Sequence, residues 1–203
     1  MILISAVFRH SGSRTLMTLV LCLPLFPAGV AAQQFALSED EAVFQNISQV
    51  YRSASDRTAV IDAFDKFIRT YPKSPRAPDA QFMKGEAYMA KGLELKPAER
   101  SAKTAPGAVS PAAAELNNAV KAYLGLISDH KQSGLEASAQ YRIGEAFYNL
   151  GDWQRALKEF ARVEEKYPKS YTVPESLLGI AYAEIALNDF PAARTVLARL
   201  EAA

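Results

Sequence analysis

Apolar residues spaced three and four apart recur along most of the chain, from about residue 41 to its end. In Trp153–Lys166 they lie on one face of a helix, and Pro168 follows the last turn, where it stops the helix. A second stripe of the same kind runs over 135–150, and Gly151-Asp152 stands between the two as a turn and a helix start. The pattern predicts two helices joined by a short turn.

This predicted helix pair has copies elsewhere in the chain. The segment 71–74 (Tyr-Pro-Lys-Ser) recurs 96 residues later as 167–170, and a second alignment matches 80–88 with 139–147 at an offset of 59. One helix pair cannot bury its apolar face alone, so repeated pairs must stack on their neighbours to form a core. The sequence therefore predicts an all-α fold, a right-handed α-solenoid of about four helix pairs.

The predicted boundaries divide the chain into a lead of 33–40 and a repeat region of 41–203. The four units are expected at about 41–74, 78–133, 137–170 and 171–203. The second unit is interrupted at about 93–114, which is rich in Ala, Pro and Ser, and we interpret this insertion as a flexible loop with a possible short helix. The fourth unit aligns with the third only if two extra residues precede Asp189.

The first 32 residues have the order of an export signal. Arg9 and Arg14 precede an apolar run over 16–26, and small residues ending at Ala32 provide a cleavage site. We therefore predict a cleaved signal peptide and a periplasmic chain. The alternatives are an uncleaved membrane anchor and a lipid anchor on Cys22, although Leu21 fits poorly where a lipidation signal has a small residue.

Composition and charge restrict the chemistry further. The chain has 23 basic and 22 acidic residues without a basic block, which disfavours nucleic acid as a partner. Without the signal, His130 is the one histidine left and no cysteine remains, so disulfides, thiol nucleophiles and multi-histidine metal sites are excluded. No catalytic or phosphate-binding motif occurs, and we predict neither enzymatic activity nor a cofactor.

The third unit carries a set of small, aromatic and turn residues at Gly144, Phe147, Gly151, Asp152, Trp153, Ala156, Phe160 and Pro168. At these spacings the unit resembles the tetratricopeptide repeat, a helix pair of about 34 residues. The resemblance implies a stack of helix pairs that binds another protein on its concave side. It covers about 38–203.

A narrower resemblance is carried by 64–88, where aromatic residues precede Tyr-Pro-Lys-Ser-Pro and a second alanine- and glycine-containing helix follows. This stretch resembles the repeats of the CpoB (YbgF) family, which works beside the Tol–Pal envelope complex, and those of the outer-membrane assembly lipoprotein BamD. The resemblance implies a periplasmic adaptor. The chain departs from both families, because 33–38 leaves no room for a coiled coil and Cys22 does not suit lipidation.

The candidate binding residues are those that lie opposite the packing stripe on the first helix of each unit. They are Gln45, Gln49 and Arg52 in unit one, Phe82, Met83, Glu86 and Met89 in unit two, and Tyr141, Arg142, Glu145, Tyr148 and Asn149 in unit three. Tyrosine and arginine often dominate protein interfaces. Two alternatives stay open: Phe82 and Tyr141 pack between helices, and Arg142 and Glu145 only pair with each other.

The expected partner is an envelope protein or peptide, with any membrane association made through that partner. Two further hypotheses remain, namely glycan binding with Tyr141, Tyr148 and Trp153 stacking on sugar, and self-association through the exposed end of unit four.

Overall fold

The structure is a computed structural model that describes residues 37–54, 56–101 and 110–202, with side chains omitted at 98–101. All the regular structure in these residues is helical. The helices are α1 (Glu39–Ser53), α2 (Arg57–Thr70), α3 (Ala77–Ser101), α4 (Pro111–Asp129), α5 (Glu136–Leu150), α6 (Trp153–Lys166), α7 (Val173–Ala186) and α8 (Phe190–Glu201). The predicted signal peptide lies outside the described residues.

The helices begin at side chains that satisfy free backbone N–H groups. Asp56, Asp152 and Asp189 each accept a hydrogen bond from a backbone N–H in the first turn of α2, α6 and α8, and Ser110 does the same for α4. The first N–H groups of a helix have no partner within it, so such caps stabilise the helix by about 1 kcal/mol each. The turn residues seen in the sequence therefore set where the second helix of each pair starts.

The pairs stack in chain order, and each helix packs against the one before and the one after it. The first helices α3, α5 and α7 also approach one another, whereas the second helices α4, α6 and α8 do not do so to the same extent. A stack whose first helices are closer together is curved, with those helices on its inner side. The prediction of a solenoid of helix pairs is confirmed for the described residues, while its handedness stays a prediction.

Buried aromatic rings join successive units. Phe160 of α6 is almost fully buried and lies against two backbone positions without a side chain, Gly144 of α5 and Gly179 of α7. A methyl group added at Gly144 would lie 2.5 Å from the Phe160 ring, and one added at Gly179 would lie 2.7 Å from it. Tyr123 of α4 lies against Gly85 of α3 in the same way. These rings occupy space that only glycine leaves open.

The interpretation of 93–114 as a flexible loop is wrong for its two ends. Helix α3 continues through Pro97 to Ser101, and α4 already begins at Pro111. Tertiary contacts hold these added turns, because Lys96 donates to the backbone carbonyl of Asn149 at 2.6 Å and Gly92 packs against the buried Leu116. Such contacts override the weak helix preference of the segment. Residues 102–109 lie outside the described residues.

The alignment of unit four with two extra residues is also wrong. Asn188 has φ 65° and precedes the capping Asp189, as Gly151 with φ 79° precedes the capping Asp152. Each of these positions lies 37 residues after its counterpart, and α7 likewise begins 37 residues after α5. Six residues separate the second helix of a unit from the next first helix at 71–76, 130–135 and 167–172 alike. Unit four therefore needs no insertion, and its first helix begins at Val173 rather than near 171.

We expect Gly144→Ala to lower the free energy of unfolding by about 1–3 kcal/mol, because the added methyl group overlaps the Phe160 ring. The control is Gly125→Ala, whose methyl group would meet the movable amide end of Gln81 at 3.0 Å. There the higher helix preference of alanine, about 1 kcal/mol, offsets the contact. Urea unfolding followed by circular dichroism measures both, and equal stability of the two variants would contradict the account of the ring contact.

Candidate functional site

The candidate site is the inner face formed by the first helices, which we call the groove. Its central part is an ionic network between α3 and α5. Arg142 donates through Nη2 to Glu86 at 2.9 Å and through Nη1 to Glu145 at 2.7 Å. Tyr123 donates its hydroxyl to Glu86, and Tyr141 donates to Glu145 at 3.1 Å. We call these five residues the Arg142 network.

The network is partly removed from water, and its charges hold one another in place. Burial raises the pKa of Tyr141 to about 12, and the Glu145 carboxylate acts in the same direction. Burial, followed by the charge of Glu86, raises the pKa of Tyr123 far above its usual range. Burial alone would lower the pKa of Arg142, but Glu86 and Glu145 outweigh it and the pKa is raised. At neutral pH the two phenols of the network are therefore neutral and the Arg142 guanidinium is charged.

Several predicted groove residues take part in packing. Phe82 lies against Tyr123 with ring centroids 5.6 Å apart, and Tyr141 lies against Phe160 at the same distance. Met83 is half-buried, and its sulfur accepts a hydrogen bond from the hydroxyl of the buried Ser48 at 3.7 Å. These side chains expose only part of their surface. The two ring contacts hold helix pairs together, and the Met83 contact joins unit one to unit two.

The prediction of Met89 as a groove residue is wrong. Its side chain is 6% exposed and belongs to the same apolar cluster as Leu116 of α4 and Ile143 of α5. Its burial results from packing against α4 and α5, which the pattern of α3 alone does not show.

The remaining predicted residues lie on either side of the Arg142 network. Gln45, Gln49 and Arg52 of α1 are exposed, and the hydrogen bonds described for them stay within that helix. Tyr148 and Asn149 of α5 are half-buried, and the backbone carbonyl of Asn149 also accepts a hydrogen bond from Lys96 of α3. The structure therefore joins Glu86, Arg142, Glu145 and Tyr141 into one network but leaves the unit-one residues apart from it.

Sequence analysis missed the groove residues of unit four. With the corrected alignment, Leu178, Tyr182 and Ile185 of α7 take the places of Tyr141, Glu145 and Tyr148 of α5. Their side chains are 37%, 52% and 42% exposed, respectively. The signal that could have found them is the match of Asn188-Asp189 with Gly151-Asp152.

A separate open cavity of about 450 Å³ lies at the turn between α5 and α6. Trp153, Gln154, Asn117 and Leu187 are among its lining residues. Trp153 belongs to this cavity, whereas Tyr141 contributes to the Arg142 network. The three aromatic residues predicted to stack on a sugar therefore do not share one surface.

The described part of the chain contains neither a cluster of metal-binding side chains nor a helix suited to span a membrane. No group of three or more side chains there is arranged to hold a metal ion. None of the helices in that part combines the length and the apolar character needed to cross a bilayer.

Comparison with known proteins supports the repeat type. Residues 138–170 match the tetratricopeptide repeat family. No curated protein matches the chain. The matched stretch contains most of α5 and all of α6, and the other helix pairs are built and capped in the same way. The match and the helical fold together support a tetratricopeptide-repeat protein, and repeats of this family generally act as non-catalytic modules that bind proteins.

We expect Arg142→Ala to lower the free energy of unfolding by about 1–3 kcal/mol, because it leaves Glu86 and Glu145 partly buried without their cation. Adding Glu86→Gln should restore part of the loss, since it removes one of the two unpaired carboxylates. The control is Arg69→Ala, which breaks the exposed pair with Asp65 and should change stability by less than about 0.5 kcal/mol. Thermal unfolding measures all three, and equal losses for Arg142→Ala and Arg69→Ala would rule out a structural role for the network.

Proposed function

We propose that this protein is an adaptor that binds another protein in the groove formed by its first helices. The observation that supports this best is the contrast between the two sides of the central network. Glu86, Arg142 and Glu145 satisfy one another, whereas Tyr182 and its neighbours on α7 expose apolar surface on the same inner face. An ordered polar centre beside an exposed apolar area is typical of an interface, in which apolar contacts supply affinity and polar groups supply specificity.

The chemistry of the groove favours binding over catalysis. The two carboxylates of the Arg142 network, Glu86 and Glu145, both accept hydrogen bonds from Arg142 and from a tyrosine. A general acid or base must be able to release or accept a proton near neutral pH. Glu86 and Glu145 are both engaged by Arg142 and by a tyrosine, so neither is free to take this role.

We further propose that the chain is exported and acts in the bacterial envelope, with residues 1–32 as its signal. The resemblance of the repeats to the CpoB family supports a role beside the Tol–Pal complex in cell division and envelope maintenance. A part in outer-membrane protein assembly is the alternative that the resemblance to BamD supports. Binding of a glycan is a further alternative, and the exposed Trp153 beside the amide of Gln154 in the open cavity favours it.

Site-specific photo-crosslinking in the native cell tests the adaptor function. A photoreactive amino acid replaces Gln49 or Tyr148 on the inner face, and Lys158 on the outer side of α6 serves as the control position. We expect one discrete protein adduct from both inner positions and none from Lys158, because the partner lies along the first helices. Mass spectrometry of the adduct then identifies the partner.

Adducts that form equally from Lys158, or from neither inner position, would contradict the groove as the binding face.

The intact mass of the chain purified from the native cell tests export. A chain that begins at Gln33 in an envelope fraction agrees with a cleaved signal. A chain that retains Met1, or that carries lipid on Cys22, would replace this part of the proposal by one of the two anchored forms.

A further inference from the structure

The C-terminal end of the groove presents a continuous row on α7 that consists of Glu175, Leu178, Tyr182 and Ile185, which we call the α7 row. These residues are spaced three and four apart and therefore lie on one face of the helix. All four are exposed, in a helix whose other faces bury Leu177, Ala181 and Ala183. Three neighbouring apolar side chains in contact with water are unusual unless another molecule covers them.

Unit three shows what covers such a row. Tyr141 and Tyr148 hold the matching positions on α5, and both pack against an apolar cluster that includes Ala183 of α7 and is also contacted by Ile180. The first helix of unit three is thus partly covered by α7, the first helix that follows it. Among the described residues no helix covers the α7 row, and its apolar side chains stay exposed there.

The charge around the row indicates the chemistry of its occupant. Helix α7 contains the acids Glu175 and Glu184 and no basic residue. Glu175 is exposed, and it makes no hydrogen bond or ion pair within the part of the chain that the structure describes. Glu145 of the neighbouring α5 adds a second carboxylate, whose partner Arg142 is already shared with Glu86. This end of the groove is therefore acidic and attracts a cationic partner.

We propose that the α7 row binds an amphipathic helix of the partner protein, which lies against α7 much as α7 lies against α5. This inference rests on the proposed adaptor function and names the chemistry of the partner. The helix presents apolar residues at i, i+3 or i+4, and i+7 to Leu178, Tyr182 and Ile185, which together span about two turns. A lysine or arginine beside that stripe lies against Glu175. Since Glu175 stands at one end of the row, the charge also fixes the direction of the bound helix.

The first test uses synthetic peptides and the full chain. A fluorescent helical peptide of about five turns carries a leucine stripe flanked by lysines, a matched peptide has glutamate in place of lysine, and a third has the same composition without the stripe. Fluorescence anisotropy gives the Kd of each. We expect the lysine peptide to bind at least tenfold more tightly than either of the others, because it alone satisfies both the apolar and the acidic part of the row.

Variants of the row locate the site. Leu178→Ser combined with Ile185→Ser should raise the Kd of the lysine peptide at least tenfold, while Leu124→Ser should change this Kd by less than about twofold. Leu124 is the matched control, because it is a leucine with 50% of its surface exposed on α4. Glu175→Lys should raise the Kd of the lysine peptide about threefold and lower the Kd of the glutamate peptide by a similar factor, as expected for an exposed ion pair. Circular dichroism confirms that each variant remains helical.

Equal binding of the peptide without the stripe, or equal effects at Leu124 and at the row, would overturn the proposal. Light scattering provides a second readout, since a dimer that Tyr182→Ser dissociates would show that a second copy of this chain covers the row. Failure here is distinguishable from failure of the adaptor function. Crosslinks from Tyr148 to a partner that binds the row variants as well as the unaltered chain would keep the adaptor and remove this inference.

Discussion

The structure depends on aromatic rings that fill spaces left by glycine. Phe160 contacts Gly144 in its own helix pair and Gly179 in the next one, so a single ring joins three helices. Close packing of this kind makes an added methyl group destabilising, because the interior has no free volume for it. The spacing of the first helices follows from this contact, and the inner face on which the candidate site lies follows from that spacing.

The groove that results differs in character from one end to the other. Polar side chains of α1 lie at one end, the Arg142 network lies in the middle, and apolar side chains of α7 lie at the other end. The network makes this arrangement rigid, because Arg142 of α5 pairs with Glu86 of α3 and is held in place by Glu145 of its own helix. A rigid inner face loses little conformational entropy when a partner binds, and this favours higher affinity.

Much of the fold could be predicted from the sequence because its determinants are local. Apolar stripes, capping aspartates and the Tyr-Pro turns each act within a few residues, and they located the helix pairs. The length of α3 could not be predicted, since Pro97 and the composition after it favour a loop and only contacts with α4 and α5 hold the added turns. The place of unit four could not be read from its glycine, because Gly179 packs on Phe160 of the preceding unit, whereas Gly144 packs on the same ring within its own unit.

The candidate site was predictable only in part, because some of its contacts join residues far apart in the sequence. The pairing of Arg142 with Glu145 is a helix-spacing effect and was foreseen as an alternative, and it is present. The link from Arg142 to Glu86 joins residues 56 positions apart and depends on how two units stack. Burial of Met89 likewise depends on packing against α4 and α5 and has no local signal.

Hydrogen exchange of a Phe160→Leu variant, followed by mass spectrometry of peptides, tests most directly whether one ring joins neighbouring units. The change removes ring volume at small cost to the hydrophobic core. The account predicts faster exchange in α5, α6 and α7 together, with α1 and α2 unchanged, because each unit relies on its neighbours. Faster exchange in α6 alone, or equally in all helices, would contradict it.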